Sequence, residues 1–223
     1  MTPGQIARTL LGTRGFRLAG RVYRAIFVDL RVVAGKLAAE IPPNAHVLDI
    51  GSGDGDPINH LLLLRPDLSV TMIDIAPQVG TWLHPRFGHR VTCHPETDIA
   101  EYIRALRANI QRGALPPDVV MVTYVLHHIP PAARLSFFTA LADLFQFNRN
   151  LHLIFTDVEP GHWRSRLGYL SDRYVTGDRH VSLIGRSELT RYLDATIGAV
   201  LWHDTALTLL DAPNYMIVCR KPT

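Results

Sequence analysis

Two cysteines in 223 residues, Cys93 and Cys219, are too few for a disulfide framework and lack the spacing of a metal knuckle. That scarcity fits a reducing, cytoplasmic setting. No apolar run is long enough to cross a bilayer. The first twenty residues carry Arg8, Arg14 and Arg17 without a clean apolar block, so no secretory leader is expected. Runs of five or more basic residues are absent, and aromatics are not interleaved with basic stretches. The pI near 9.1 is therefore weak support for a nucleic-acid partner. Lysine is scarce as well: of 23 basic residues only Lys36 and Lys221 are lysines, which reads as compositional bias before function. Repeats and low-complexity segments are missing. What remains is a globular composition, 47% hydrophobic with net charge +3, at a length suited to one large α/β domain.

Apolar periodicity predicts a long helix over 14–40. Phe16, Tyr23, Ile26, Phe27, Leu30, Val33 and Leu37 share one arc, and Arg14, Arg17, Arg21, Arg24 and Arg31 the other. This divides the chain into an amino-terminal helical extension, 1–40, and a main domain, 41–223. The basic arc reads first as a solvated face, and second as a lid over an anionic substrate or a peripheral membrane contact. It also leaves a homodimer open. Pro42-Pro43-Asn44 breaks the helix, and short apolar runs then alternate with helical stretches. Strands are expected at 46–50, 69–74, 90–94, 118–123, 151–156, 199–209 and 214–220. Helices are expected at 56–64, 98–112, 132–146 and 187–197, with a short turn near 77–84. Nearly continuous apolar strands alternating with helices imply an α/β fold with a doubly wound, mostly parallel, seven-stranded sheet. The turn signal Asp211-Ala212-Pro213-Asn214 closes it with an antiparallel C-terminal hairpin.

The most informative stretch is Val47-Leu48-Asp49-Ile50-Gly51-Ser52-Gly53-Asp54-Gly55. A strand ends in an acid, and three alternate glycines let the backbone turn sharply and approach a ligand that any Cβ would exclude. A nicotinamide enzyme uses Gly-x-Gly-x-x-Gly with the helix amino end aimed at pyrophosphate. Here the third glycine comes one residue early, and Asp49, Asp54 and Asp56 surround the phosphate position with like charge. The loop suits a ligand that is cationic or rich in hydroxyls.

Further motifs follow in order. Thr71-Met72-Ile73-Asp74 ends the second apolar run. Asp98 follows the third. Asp118 to Pro130 reads Asp-Val-Val-Met-Val-Thr-Tyr-Val-Leu-His-His-Ile-Pro, and Leu153-Ile154-Phe155-Thr156-Asp157 ends the fifth strand. With these five motifs, residues 40–223 resemble the class I S-adenosylmethionine-dependent methyltransferases, in their small-molecule branch. The resemblance implies a Rossmann-like methyltransferase fold and S-adenosylmethionine as cofactor. It implies that Asp49, Gly51, Ser52, Gly53, Asp54 and Gly55 form the cofactor loop. Asp74 with Ile75 would hold the ribose, and Asp98 with Ile99 would meet the adenine, with Thr123 and Tyr124 beside the cofactor. Taken singly, these acids would read as strand ends or helix caps, Asp98 most of all.

Methyl transfer from a sulfonium needs orientation, desolvation and a base when the acceptor carries a proton. His128 is the first candidate base and His127 the second, with Asp157 to orient the base or the substrate. Adjacent residues at a strand end point in different directions, so one histidine is expected to face the pocket. Both could instead fix the loop. His127, His128, Asp157, Glu159 and His162 offer metal-ligand types at no recognised spacing, so no metal is expected. The long stretch 158–186 should set specificity as a substrate-binding insertion, through His162, Trp163, Arg164 and Tyr174. Thr123-Tyr124-Val125-Leu126 stands where adenine and cytosine amino-methyltransferases carry Asn/Asp-Pro-Pro-Tyr/Phe, and paired glutamates are missing. A small-molecule acceptor remains, with oxygen favoured by the histidines: a metabolite, sugar or lipid precursor. The other class of reading is a sensor or scaffold that binds S-adenosylmethionine or S-adenosylhomocysteine without turnover.

Overall fold

The computed structural model describes residues 30–171, 180–198, 201–207 and 214–220. Within them, α1 (Leu30–Glu40) leads into β1 (His46–Ile50), α2 (Asp56–Leu64), β2 (Ser69–Ile73), β3 (Val91–His94), α3 (Ile99–Ile110) and β4 (Val119–Thr123). Then come α4 (Pro131–Asp143), β5 (His152–Val158), α5 (Trp163–Ser171), α6 (Arg186–Thr196), β6 (Leu201–Leu207) and β7 (Asn214–Arg220). The seven strands form one sheet in the order β3-β2-β1-β4-β5-β7-β6. Pairing is parallel from β3 across to β5, while β7 runs antiparallel to both β5 and β6. The expected doubly wound sheet with its closing hairpin is therefore the observed one.

Strand alternation sorts the core into two layers. Val47, Val70, Met72, Met121 and Ile154 face α1 and α2, where Val33, Leu37, Ile58, Leu61 and Leu62 meet them. Leu48, Ile73, Val122, Leu153 and Phe155 face the other way, onto Ile103 and Leu106 of α3, Phe138 and Leu141 of α4, and Leu189 and Leu193 of α6. Each fully buried aliphatic side chain contributes about 2 kcal/mol of transfer free energy. Burial on both faces explains why β1, β2 and β4 read as unbroken apolar runs. The chain reverses its winding between β1 and β4, and a crevice at a sheet's carboxyl edge forms at such a point.

Boundaries differ from expectation in instructive places. The 98–112 helix spans Ile99–Ile110, with Asp98 as its N-cap. The 132–146 helix starts at Pro131, a residue suited to a first turn, and tightens into a 3-10 turn at Leu144–Gln146. The 158–186 insertion contains α5, and β5 continues to Val158. Of the long amino-terminal helix, only α1 lies in the described residues, with Val33, Ala34 and Leu37 buried and Arg31 and Lys36 exposed. Arg14, Arg17, Arg21 and Arg24, with Phe16, Tyr23, Ile26 and Phe27, lie outside them. No described helix is long and apolar enough to cross a membrane.

Candidate active site

After β1 the chain folds back onto the end of β2. The amides of Gly51 and Ser52 both donate to the carbonyl of Ile73, at 2.9 and 3.2 Å, and the Ser52 hydroxyl donates to the Asp49 carbonyl at 2.8 Å. Gly51, Gly53 and Gly55 all have positive φ, at 72°, 53° and 82°. Two of them have a second, steric reason to be glycine. A Cβ at Gly51 would stand 2.4 Å from Cγ2 of Val125, and one at Gly55 would stand 3.1 Å from Cα of Gly80. At Gly53 a Cβ would meet nothing within 4 Å, so space opens above the loop.

Asp74 ties this loop down. One carboxylate oxygen accepts the Gly53 amide at 2.9 Å, and the other accepts the Ala76 amide at 2.8 Å. Each oxygen keeps a second lone pair for a ligand. A strap over 77–84, expected only as a turn, runs along the loop: Gly80 donates to the Gly53 carbonyl and Trp82 to that of Asp54. Asn59 of α2 clasps the strap through the Trp82 carbonyl and the His84 amide, both at 2.8 Å. Asp54 accepts the Asp56 amide at the start of α2. Asp49 is buried beneath the loop. Burial pushes its carboxyl up to about 7, against the Ser52 hydrogen bond and with help from the Asp74 charge. Asp98 caps α3, accepting the Glu101 amide at 2.7 Å, and remains exposed beside buried Ile99. Ile75 is 78% exposed, an unusual place for a branched aliphatic side chain.

The second half of the site stands at the ends of β4 and β5. Thr123 and Thr156 are register partners, and the Tyr124 amide donates to the Thr156 carbonyl at 2.8 Å. Tyr124 then takes a left-handed backbone, φ 57°, which ends the strand and starts the 3-10 turn Leu126–His128. That turn brings His127 to Asp157, which is 0% exposed. Nδ1 of His127 lies 2.7 Å from one carboxylate oxygen of Asp157, and the His127 amide donates to the other at 3.3 Å. The Val158 amide also donates to Asp157, at 2.8 Å. His128 is exposed and lays its ring against that of His127, with centroids 4.1 Å apart. One histidine in and one out was expected. The acid partners His127, the second-named of the two candidate bases, which the turn after Tyr124 carries toward β5.

Sequence reasoning missed the residues that brace this turn. Arg134 is fully buried; its guanidinium donates to the carbonyls of Ile129 and Ser182 and pairs with Glu188 of α6 at 2.7 Å. The Ser182 amide returns a bond to the His127 carbonyl at 2.8 Å. A signal was present: Arg134 shares the apolar stripe of α4 with Phe138 and Leu141, where a charge must find partners. In the insertion, Trp163 opens α5 with its side chain exposed and its ring 5.9 Å from that of His162. Arg164 follows in α5, and Tyr174 lies outside the described residues. Among the described residues no group of three or more His, Cys, Asp and Glu side chains is arranged to hold a metal ion.

The residues fit S-adenosylmethionine in several independent ways. A glycine loop is open above Gly53, acids stand at the ends of β1 and β2, and an aliphatic side chain is held out at Ile75. The fold and the site together define a class I S-adenosylmethionine-dependent methyltransferase. The chain belongs to the methyltransferase domain family, whose model matches residues 24–201. A curated relative, the ribosomal RNA small subunit methyltransferase G of Paracoccus denitrificans, is 30% identical over 112 residues. That match covers 47% of this chain and 58% of the relative. Among solved structures, an S-adenosylmethionine-dependent methyltransferase from Archaeoglobus fulgidus superposes with a TM-score of 0.62 at 15% identity. It covers 90% of this chain and 98% of that one. The 1,6-didemethyltoxoflavin-N1-methyltransferase of Burkholderia thailandensis superposes at 0.64 and 18% identity, over 100% and 92% of the two chains. At such identities these structures establish the fold alone.

Proposed function

We propose that this chain methylates an oxygen nucleophile of a small molecule, such as a metabolite, sugar or lipid precursor, with His127 as the base. The His127–Asp157 pair carries the reading, because a fully buried carboxylate fixes the ring and its tautomer at the strand ends where the acceptor would lie. An ionised carboxylate only accepts, so Nδ1–H donates to Asp157 and proton acceptance falls to Nε2. S-adenosylmethionine, when bound, supplies a methyl group already activated by its sulfonium. Asp74 and Ile75 would take the ribose, Asp98 and Ile99 the adenine, and the loop from Asp49 to Gly55 the methionine end, with Thr123 and Tyr124 alongside. Nε2 of His127 would accept the acceptor's O–H proton as the methyl group is transferred, the donor leaving as its neutral thioether. His162, Trp163, Arg164 and Tyr174 of the 158–186 insertion would shape the acceptor's approach.

The match to a ribosomal RNA methyltransferase favours a second reading, with nucleic acid as acceptor. Both readings are tested by following S-adenosylhomocysteine release with hydroxylated small molecules and with a ribosomal RNA fragment. His127→Ala should lower turnover on the small molecule about a hundredfold or more, with cofactor affinity kept. Turnover confined to RNA would select the second reading. Survival of His127→Ala beside an inactive His128→Ala would return the base to His128. Cofactor binding without any product would leave a sensor or scaffold.

A further inference from the structure

Both ends of the 158–186 insertion are fastened at the His127–Asp157 pair. At the first, the Val158 amide donates to the Asp157 carboxylate at 2.8 Å. At the second, the Ser182 amide donates to the His127 carbonyl at 2.8 Å. Residues 181–185 have no regular secondary structure, yet Val181 and Ile184 are buried. Such a backbone must find partners outside itself. The Ile184 carbonyl accepts from the Tyr215 hydroxyl of β7 at 2.9 Å, and the Arg186 amide donates to the Glu159 carboxylate at 3.3 Å. The Ser182 carbonyl accepts from Arg134 of α4. The same guanidinium donates to the Ile129 carbonyl at 3.2 Å, one residue past the His127–His128 turn, and to Glu188 at 2.7 Å. A planar fork of five donors suits a buried position that must bond in three directions.

We propose that Arg134 is a positioning residue for His127: it holds the histidine's turn through Ile129 and Ser182, so that Nδ1 stays on Asp157 and Nε2 is left for the acceptor. The consequence for turnover rests on the methyl-transfer reading, whereas the placement of the ring does not. Asp157 grips the ring and amide of His127, but the turn itself is a 3-10 element of three residues, whose hydrogen bonds are poorly aligned. Its outward carbonyls are held from Ser182 and Arg134. Glu188 completes the tie from the first turn of α6, whose N-cap Gly185 packs so closely on Glu159 that a Cβ there would stand 2.9 Å from Oε1. A buried ion pair seldom out-stabilises apolar side chains of equal volume, so geometry is what this one contributes. The end of the insertion thus reaches the ring of His127 through one guanidinium and one backbone bond.

Two variants test this without emptying the core. Arg134→Lys keeps the charge and loses the fork, and Glu188→Gln keeps the shape of a side chain that is one-third exposed. The first readout is the His127 ring itself, followed by NMR in protein labelled with 15N-histidine. In the wild type it should show one neutral tautomer, protonated at Nδ1, with that proton protected from exchange. In Arg134→Lys the exchange should quicken about tenfold or more, with both tautomers present. Calorimetric affinity for S-adenosylmethionine should stay within about twofold. On any acceptor that the wild type methylates, kcat should fall about tenfold with KM little changed, because small misplacements of a reacting group are costly. Glu188→Gln should shift both readouts the same way by a smaller factor, and it decides the matter should Arg134→Lys fail to fold. An unchanged ring signal in a folded variant would overturn the proposal. Cofactor affinity falling in step with kcat would also overturn it, since a general loosening of the domain would then account for both. A wild type that methylates nothing would sink the methyl-transfer reading and leave the ring signal to decide the positioning by itself.

Discussion

The two halves of the crevice satisfy their polar groups in opposite ways. On the β1–β2 side the loop is fastened through its own backbone: Gly51, Ser52, Gly53 and Gly55 all donate to named acceptors, and Gly53 and Asp54 accept from the strap. On the β4–β5 side, three buried hydroxyls have no partner among the described residues, and a tyrosine is held in a backbone conformation that its side chain disfavours. A surface that recognises one fixed cofactor gains from a rigid frame built before the ligand arrives.

The largest effect should come where the two halves touch. Gly51 of the loop abuts Val125 of the β4 turn, and a Cβ at 2.4 Å from Cγ2 cannot be accommodated without moving one of them. Together with the positive φ, Gly51→Ala should cost about 3 kcal/mol or more in denaturant unfolding and abolish cofactor binding. Gly53→Ala, where a Cβ meets nothing, should cost about 1 kcal/mol from backbone conformation alone. Adding Val125→Ala to Gly51→Ala should recover much of the difference. Equal costs at the two glycines would mean that the halves are not in register through this contact.

Asp74 tests whether the frame is built by side chains or by backbone. Asp74→Ala removes the acceptors of two loop amides together with the carboxylate that would meet the ribose. Calorimetry should show affinity for S-adenosylmethionine reduced about a hundredfold, since charged acceptors make the stronger bonds. Asp98→Ala removes a cap worth about 1 kcal/mol, and its effect on affinity should be smaller. A larger loss at Asp98 would reverse the ranking of the two acids.

How much of this was legible in the sequence follows the same division. The frame is written locally: an acid, three glycines and a second acid at a strand end declare themselves within a few dozen residues. The sheet was legible for a similar reason, because strands buried on both faces must be continuously apolar. The strap over the loop was not, since its contacts to Gly53 and Asp54 depend on how β2 and β1 lie together. Arg134 and Ser182 bridge some fifty residues of chain, a pairing that no spacing rule reports. The two histidines could not be ordered because the left-handed Tyr124 ends the strand before them, and the rule of alternation ends with it.

A subtler measurement reaches the charge inside the frame. Asp49 is buried with its carboxyl raised to about 7, above the ordinary 3.8. The folded protein therefore keeps a proton that the unfolded chain has given up between about pH 4 and 7. The stability that this proton confers is fully present below the ordinary carboxylate pKa and is lost as pH rises through about 7. Cofactor binding should move the other way. A sulfonium and an ammonium near the loop favour the ionised carboxylate, so affinity should rise about tenfold between about pH 6 and pH 8. Binding near neutral pH should release a proton, visible as a dependence of the calorimetric heat on the buffer's ionisation enthalpy. Asp49→Asn should flatten both profiles while leaving the loop's backbone bonds intact, because those run through Ile73 and Asp74 and do not use the Asp49 carboxylate. A pH profile that survives in Asp49→Asn would place the titrating group on the cofactor or on Asp74, and the frame would then act through shape without a buried charge of its own.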